Sequence, residues 1–237
     1  MSVLVLALIA GAVIGLALGA LGGGGSVLAV PALIYLLGFS PATATTASLI
    51  IVTATSATAL YAHARDGNVA WKTGSLFALA GVVPAFLAGA VAGHVPATLL
   101  TGAFALVAAR AEPPERIRPA KAAGAGAGLG AVTGLLGVGG GFLAVPALVG
   151  VLGLRMKQAV GTSLLVITVN SLAALTARTG TGGDLRWEVI APFTGAAILG
   201  AWDGKRLAAK ITGETLQRIF AYVLLGVATL MLADVIV

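Results

Sequence analysis

Apolar residues run through this chain in blocks too long for a soluble core and without the alternation of a strand. No Asp, Glu, Lys or Arg occurs from Met1 to Ala64, from Thr73 to Ala109, or from Ala122 to Leu154. A helix needs about 20 apolar residues to cross the hydrocarbon core, so these blocks hold several crossings. Glycines, prolines and short polar breaks divide them into predicted helical elements at roughly 3–21, 26–38, 43–62, 73–93 and 97–109, then 122–136, 141–153, 159–177, 188–203 and 216–236. Pro41 and Pro96 suit a first helical turn, where the missing N–H would be an orphan anyway. Gly38 and Gly153 suit helix exits. The elements 26–38 and 141–153 are only about 20 Å long as helices, short of a core of about 30 Å. Each reads as half of a broken or re-entrant pair whose tip is a glycine run.

The pattern occurs twice. GGGGSVLAVPALIYLLG, Gly22 to Gly38, matches GVGGGFLAVPALVGVLG, Gly137 to Gly153, at a constant offset of 115. From Gly11/Gly126 to Leu60/Leu175 the two copies share 23 identities in 50 positions without a gap. After one inserted residue Trp71 meets Trp187 and Phe77 meets Phe193. A repeat of this length marks a duplicated architecture. The expected layout is a first transmembrane repeat at 1–109, a polar, Pro-rich cytoplasmic linker at 110–121, and a second repeat at 122–237. The N-terminal segment lacks the basic start of a signal peptide, and its later part recurs in the second copy, so it reads as mature structure.

Composition agrees. Hydrophobic residues make up 59% and charged residues 9%, against roughly 25% charged in a soluble domain. So few charges cannot cover a water-soluble body. The net charge of +6 does not announce a nucleic-acid partner, because Lys and Arg gather in the cytoplasmic loops of membrane proteins. That same rule orients the copies. An inverted second copy with the linker inside leaves 12 basic residues in and only Arg178 and Arg186 out; a parallel copy leaves 8 in and 6 out. Inversion is favoured, with both termini outside. The expected fold is therefore an all-α polytopic integral membrane protein of two homologous, inverted helical repeats, each with a Gly-rich broken or re-entrant helix pair.

Inverted repeats with broken helices are a transporter architecture, with substrate held at the breaks. Here the breaks are Gly22, Gly23, Gly24, Gly25 and Ser26 in one copy, and Gly139, Gly140 and Gly141 in the other. Helices starting near Ser26 and Gly141 would point unsatisfied N–H groups and positive dipole ends at the break, which suits an anion. The plainer alternative is that the glycines serve tight tips and close packing. The helix after each break is rich in hydroxyls. Ser48, Thr53 and Ser56 share a broad face, repeated by Ser163, Thr168 and Ser171, with Asn170 beside them. Hydroxyls and an amide can donate to an anion's oxygens; they can equally bond back to their own helix. His63 is a candidate proton relay or an ordinary interface residue. Arg178, at the equivalent position, would draw anions to the outer mouth or be a plain loop charge. Asp203 and Asp234 lie near helix ends. Zero cysteines remove thiol chemistry, and no metal or other cofactor is expected.

The Gly-rich break followed by LAVPAL, with AVGTSLLVI (Ala159 to Ile167), HARDGNVAW (His63 to Trp71) and GAAILGAWDGKRLAAKI (Gly195 to Ile211), resembles the sulfite exporter TauE/SafE family. The resemblance covers nearly the whole chain. It implies a multi-pass permease of a prokaryotic inner membrane, moving sulfite, an organosulfonate or a related sulfur-containing anion. The expected partners are that small anion and the lipid bilayer. Translocation by alternating access is the leading reading, and a passive pore for anions or small solutes is the other. An enzyme is disfavoured. The glycine run imitates a dinucleotide fingerprint but precedes a membrane helix instead of following a strand, and no acidic residue comes before Asp66.

Overall fold

A computed structural model describes residues 3–92, 120–136, 141–150, 152–178 and 185–210, together with positions 215, 218 and 222. All regular structure among the described residues is helical. Helix α1 spans Val3–Leu21. A 3-10 run, Gly22–Leu28, then passes through one short α-turn, Ala29–Pro31 (α2), into a π-turn, Ala32–Leu36. The register widens after Pro31, which has no N–H to give the ladder. The following helices are α3, Pro41–Arg65, and α4, Trp71–Ala92. In the second copy they are α5, Ala120–Leu136; α6, Gly141–Gly150; α7, Met156–Ala177; and α8, Trp187–Lys210. The element expected at 97–109, that at 216–236 except positions 218 and 222, and most of the linker lie outside the described residues. Ala120 and Lys121, counted with that linker, belong to α5.

The boundaries have local causes. Ser40 caps α3 by accepting from the Thr43 N–H at 3.3 Å, with Pro41 at the first helical position. Both half-helices end in the same motif. Gly38 and Gly153 sit at φ of +66° and +62°. Their N–H groups reach Ile34 and Val149 carbonyls, and the next residues, Phe39 and Leu154, reach Leu33 and Leu148. This αL closure, in which the glycine N–H bonds the carbonyl four residues back, is repeated at the sequence offset, and the left-handed residue in it is glycine each time.

Among the described residues, four helices are long and apolar enough to cross a membrane: Val3–Leu21, Pro41–Arg65, Trp71–Ala92 and Met156–Ala177. Outward faces of α1 and α4 carry Ile9, Val13, Leu76, Leu79 and Val83 in the open, a surface that only lipid would solvate well. The chain is an integral membrane protein.

The copies exchange helices. Helix α1 packs along α8, and α5 packs along α4, so each copy's first helix lies on the fourth helix of the other. Glycines make these contacts. A methyl added to Gly11, Gly15 or Gly19 would overlap the carbonyls of Phe193, Ala197 and Ala201, in that order. On α5, one added to Gly130 or Gly134 would overlap those of Gly81 and Ala85. Both pairs run in parallel, backbone against backbone, as small residues permit. Between them stand the two hydroxyl-rich helices. Arg178 meets Thr45, Thr168 meets Ser56, and Gly161 packs on His63, so α3 and α7 run antiparallel.

Candidate functional site

The first glycine break closes differently from the expectation. Gly22 carries the left-handed turn, with φ at +63°, and Gly23, Gly24 and Gly25 continue directly into the 3-10 run. That tighter bonding takes up N–H groups along the run, so the donors expected to converge near Ser26 are partly spent within it. Ser26 itself is fully buried. A Cβ on Gly22 would stand 2.8 Å from Ser163 Oγ and 2.9 Å from the Val160 carbonyl. The break thus lies against the first turns of α7, in the opposite copy. Gly141 opens α6, which packs on the 3-10 run. Gly139 and Gly140 lie outside the described residues.

The two hydroxyl faces meet. Ser56 Oγ and Thr168 Oγ1 are 2.9 Å apart across the α3/α7 interface. Several of these side chains also bond to their own helix: Thr168 donates to the Leu164 carbonyl at 2.7 Å, Ser163 to Val160 at 2.8 Å, and Ser56 approaches Thr53 O at 3.3 Å. Others do not. Ser48 Oγ, Thr53 Oγ1 and Ser171 Oγ are buried without a hydrogen-bond partner, as are both amide atoms of Asn170. The antiparallel register sets Thr53, at the middle of α3, level with Ser171, one turn from the Ser56/Thr168 contact. Native proteins leave few buried polar groups unsatisfied, and each costs about 1–3 kcal/mol. Thr53 and Ser171 fall at one level of the α3/α7 register, while the Asn170 amide is turned to Gly81 of α4.

Each end of this interface is closed by a side chain that the loop-charge reading undersold. Arg178 is 5% exposed. Its guanidinium donates to Thr45 Oγ1 at 2.7 Å, Thr46 Oγ1 at 3.3 Å, and the carbonyls of Gly134 and Leu135 at 2.5 and 3.1 Å. It joins the start of α3, the end of α5 and the end of α7, and so is neither a mouth charge nor a loop charge. His63, also buried, brings Nε2 to the Gly19 carbonyl at 3.3 Å. Residues 63 and 178 are equivalent in the repeat, and so are their partners Gly19 and Gly134. Each copy therefore ties the helix preceding its break to the end of its hydroxyl helix. The only sequence signal for this pairing was that positional equivalence.

At the His63 end, Lys205 donates to the Ala62 carbonyl at 2.6 Å and pairs with Asp66 at 2.7 Å. That hydrogen bond holds the Asp66 carboxyl below the usual carboxylate range. At the Arg178 end, Arg186 lies 4.1 Å over the Phe39 ring and donates to the Leu37 carbonyl. Asp203 pairs with Arg206 one turn along in the open, while Asp234 lies outside the described residues. No group of His, Asp or Glu suited to a metal occurs among the described residues. The site's means are hydroxyls, an amide and backbone, which can hold oxygen atoms of a small solute but offer no acid–base pair for chemistry.

The sequence profile of the family described as sulfite exporter TauE/SafE matches residues 7–231. Two curated relatives, each named a probable membrane transporter protein, come from Xylella fastidiosa strains Temecula1 / ATCC 700964 and 9a5c. They are 33% and 34% identical over 238 residues, covering 92% of this chain and 90% of theirs. No solved structure matches the chain.

Proposed function

Because the chain belongs to the sulfite exporter TauE/SafE family, and is a membrane transporter of that type, we propose that it moves a small sulfur-containing oxyanion, such as sulfite or an organosulfonate, across a prokaryotic inner membrane by alternating access. The observation that carries the reading is the set of buried, unpartnered polar side chains on α3 and α7: Thr53, Ser48, Asn170 and Ser171. Hydroxyl and amide donors there would satisfy sulfonate oxygens and be satisfied by them. Gly22, which abuts Ser163 of α7, is proposed to bring the first break, with Gly23, Gly24, Gly25 and Ser26, to the same path; Gly139, Gly140 and Gly141 are assigned the corresponding place by the repeat. Ser56 and Thr168 complete the proposed set.

The proposal includes inversion of the repeats, 1–109 against 122–237 about a linker at 110–121. Equivalent helices α3 and α7 run antiparallel, which is the direction relation that inversion demands and a parallel duplication forbids. Single cysteines introduced at Asn68 and Gly183, labelled with an impermeant maleimide, are expected to react from opposite faces of the membrane. Reaction from one face removes the inverted arrangement.

Counterflow in proteoliposomes tests the transport reading. Liposomes loaded with unlabelled sulfite are expected to accumulate external labelled sulfite transiently and saturably, as a carrier does and a pore does not. Ser171→Ala is expected to weaken apparent affinity about tenfold to a hundredfold, the value of a hydrogen bond to a charged group. Its stability without anion should stay the same or rise, because a buried hydroxyl with no partner is removed. Unchanged affinity in that variant would take the set out of the substrate path. Linear, non-saturating flux would leave the pore reading.

A further inference from the structure

Two helices from different copies begin side by side at one edge of the bundle. The Ala70 N–H, just before α4, donates to Thr162 Oγ1 in the second turn of α7 at 2.9 Å, and Gly161 packs on the Asn68 carbonyl. From there Gly74, Gly81 and Gly89 of α4 meet Thr162, Asn170 and Ala174 of α7 in turn, so the two helices leave this edge in the same direction. Lys72 lies in the first turn of α4. Arg155 and Lys157 lie at the start of α7, about 7–10 Å of helical rise before Thr162. All three cations are exposed, and none forms an ion pair with a described residue. The described acid on the loop into α4, Asp66, is already paired with Lys205. Trp71, next to Lys72, is 52% exposed.

The repeat supplies a comparison within the same molecule. The twin of this corner, at the opposite end of the antiparallel α3/α7 pair, is where α3 and α8 begin. Its tryptophan is kept, with Trp187 56% exposed. Its cations are not: Glu188 stands for Lys72, Ser40 for Arg155 and Ala42 for Lys157. Ser40 caps α3 through the Thr43 N–H, whereas the Arg155 side chain makes no such bond at the start of α7. The second copy thus carries a charge where the first carries a stabilising cap. The fold builds this corner without cations once, so their presence at the other corner answers to something outside the helices. An interfacial tryptophan suits either face of a membrane. Three unpaired cations suit a face that supplies negative charge, and at a membrane edge that charge is the phosphate of anionic lipid, which reaches exposed side chains without a cavity.

We propose that Trp71, Lys72, Arg155 and Lys157 form a docking surface for the headgroup of an anionic phospholipid, which bridges α4 of the first copy and α7 of the second. The ammonium and guanidinium groups hold the phosphodiester by charge-assisted hydrogen bonds, and the indole lies at the boundary between headgroup and acyl chain. The proposed orientation of the repeats sets this edge on the cytoplasmic leaflet, where anionic lipid gives the surface its negative potential. The proposal does not depend on which solute is transported.

Competition between dioleoylphosphatidylglycerol and dioleoylphosphatidylcholine makes the test. The purified protein is released from nanodiscs holding equal parts of the two lipids, and the lipids that stay bound are counted by native mass spectrometry. Wild type is expected to retain phosphatidylglycerol about tenfold or more in preference. The triple variant Lys72→Gln, Arg155→Gln, Lys157→Gln is expected to bring the ratio near one. A second triple variant, Arg65→Gln, Arg206→Gln, Lys210→Gln, removes the same formal charge from exposed positions at the α3/α8 seam of the same face and should leave the preference in place. Inorganic phosphate in excess should not reproduce the rise in unfolding temperature that phosphatidylglycerol gives in neutral detergent. Equal loss of preference in the two variants would mark a diffuse charge effect and overturn the proposal, as would a preference that survives in the first. An equal rise with inorganic phosphate overturns the lipid assignment. A wild type that retains both lipids equally overturns the proposal even if neither variant folds.

Discussion

Replacing Arg178 with alanine is expected to cost about 3–5 kcal/mol of stability, the usual result of removing one side of a buried charged network. The guanidinium is almost wholly enclosed and donates to two threonine hydroxyls and two carbonyls. Those carbonyls, from Gly134 and Leu135, belong to the last turn of α5, where no following N–H of the same helix can reach them. A permanent cation there also meets the negative end of the helix dipole. Truncation leaves these acceptors buried and bare. For a protein of this length 1 kcal/mol corresponds to about 2–4 °C, so the unfolding temperature in detergent should fall by roughly 6–20 °C. Arg178→Lys should recover only part of it, since one ammonium cannot span acceptors on two helices in the fork geometry. An alanine variant that melts with the wild type would show that the network adds nothing.

A comparable loss is expected from Gly15→Leu. The glycine lies at the centre of the α1/α8 contact, where an added methyl already overlaps the Ala197 carbonyl. The obstructing atom is backbone on a packed helix and cannot swing away as a flexible side chain would. Helices α1 and α8 must separate, or the leucine must find space that close-packed interiors do not hold. Overpacking costs about 1–3 kcal/mol when neighbours adjust, and more when backbone must move. The expected outcome is about 3 kcal/mol or more, read as a lower unfolding temperature and a larger aggregated fraction on size-exclusion chromatography. Gly195→Leu on α8 is the matched control, because a Cβ there meets nothing within 4 Å; its profile should match wild type. Equal behaviour of the two leucine variants would mean that the α1/α8 contact tolerates the volume.

Much of this architecture was legible from spacing along the chain. The 3–21 element is α1 as expected, and the glycine exits at Gly38 and Gly153 are the left-handed residues of matching αL closures. Helix α3 runs Pro41–Arg65 where 43–62 was expected, since Ser40 and Pro41 begin it earlier. Helix α8 was expected to stop at 203, where charges gather; it continues to Lys210 because Lys205 reaches back to α3 and Arg206 pairs with Asp203 within the helix. The hydroxyl faces were legible from the helical period, and the duplication marked them as a pair. What the chain could not declare was mating. The stripe Gly11, Gly15 and Gly19 is visible in the sequence, but nothing in it says that the facing backbone is α8. Arg178 looked like a loop charge because its acceptors are over 40 and over 130 residues away along the chain. The amide of Asn170 pairs with an absence, the missing side chain of Gly81, and absences at such separations leave no periodic trace.

The helix exchange has a consequence for how the protein is made. Helix α1 leaves the ribosome first, yet its mate α8 begins at Trp187, about 165 residues later. At 5–20 residues per second, synthesis takes roughly 8–35 s to deliver that partner. During that interval a glycine-lined groove on α1 sits in the bilayer without α8 to fill it. Helix α4 waits a shorter time for α5. The first copy is thus an unfinished object until the second has been threaded in beside it, and neither half is a domain in the sense of a unit that closes its own interior. Duplication here produced an interlocked pair, in which the nascent first half must be kept from the wrong mates until the last long helices arrive.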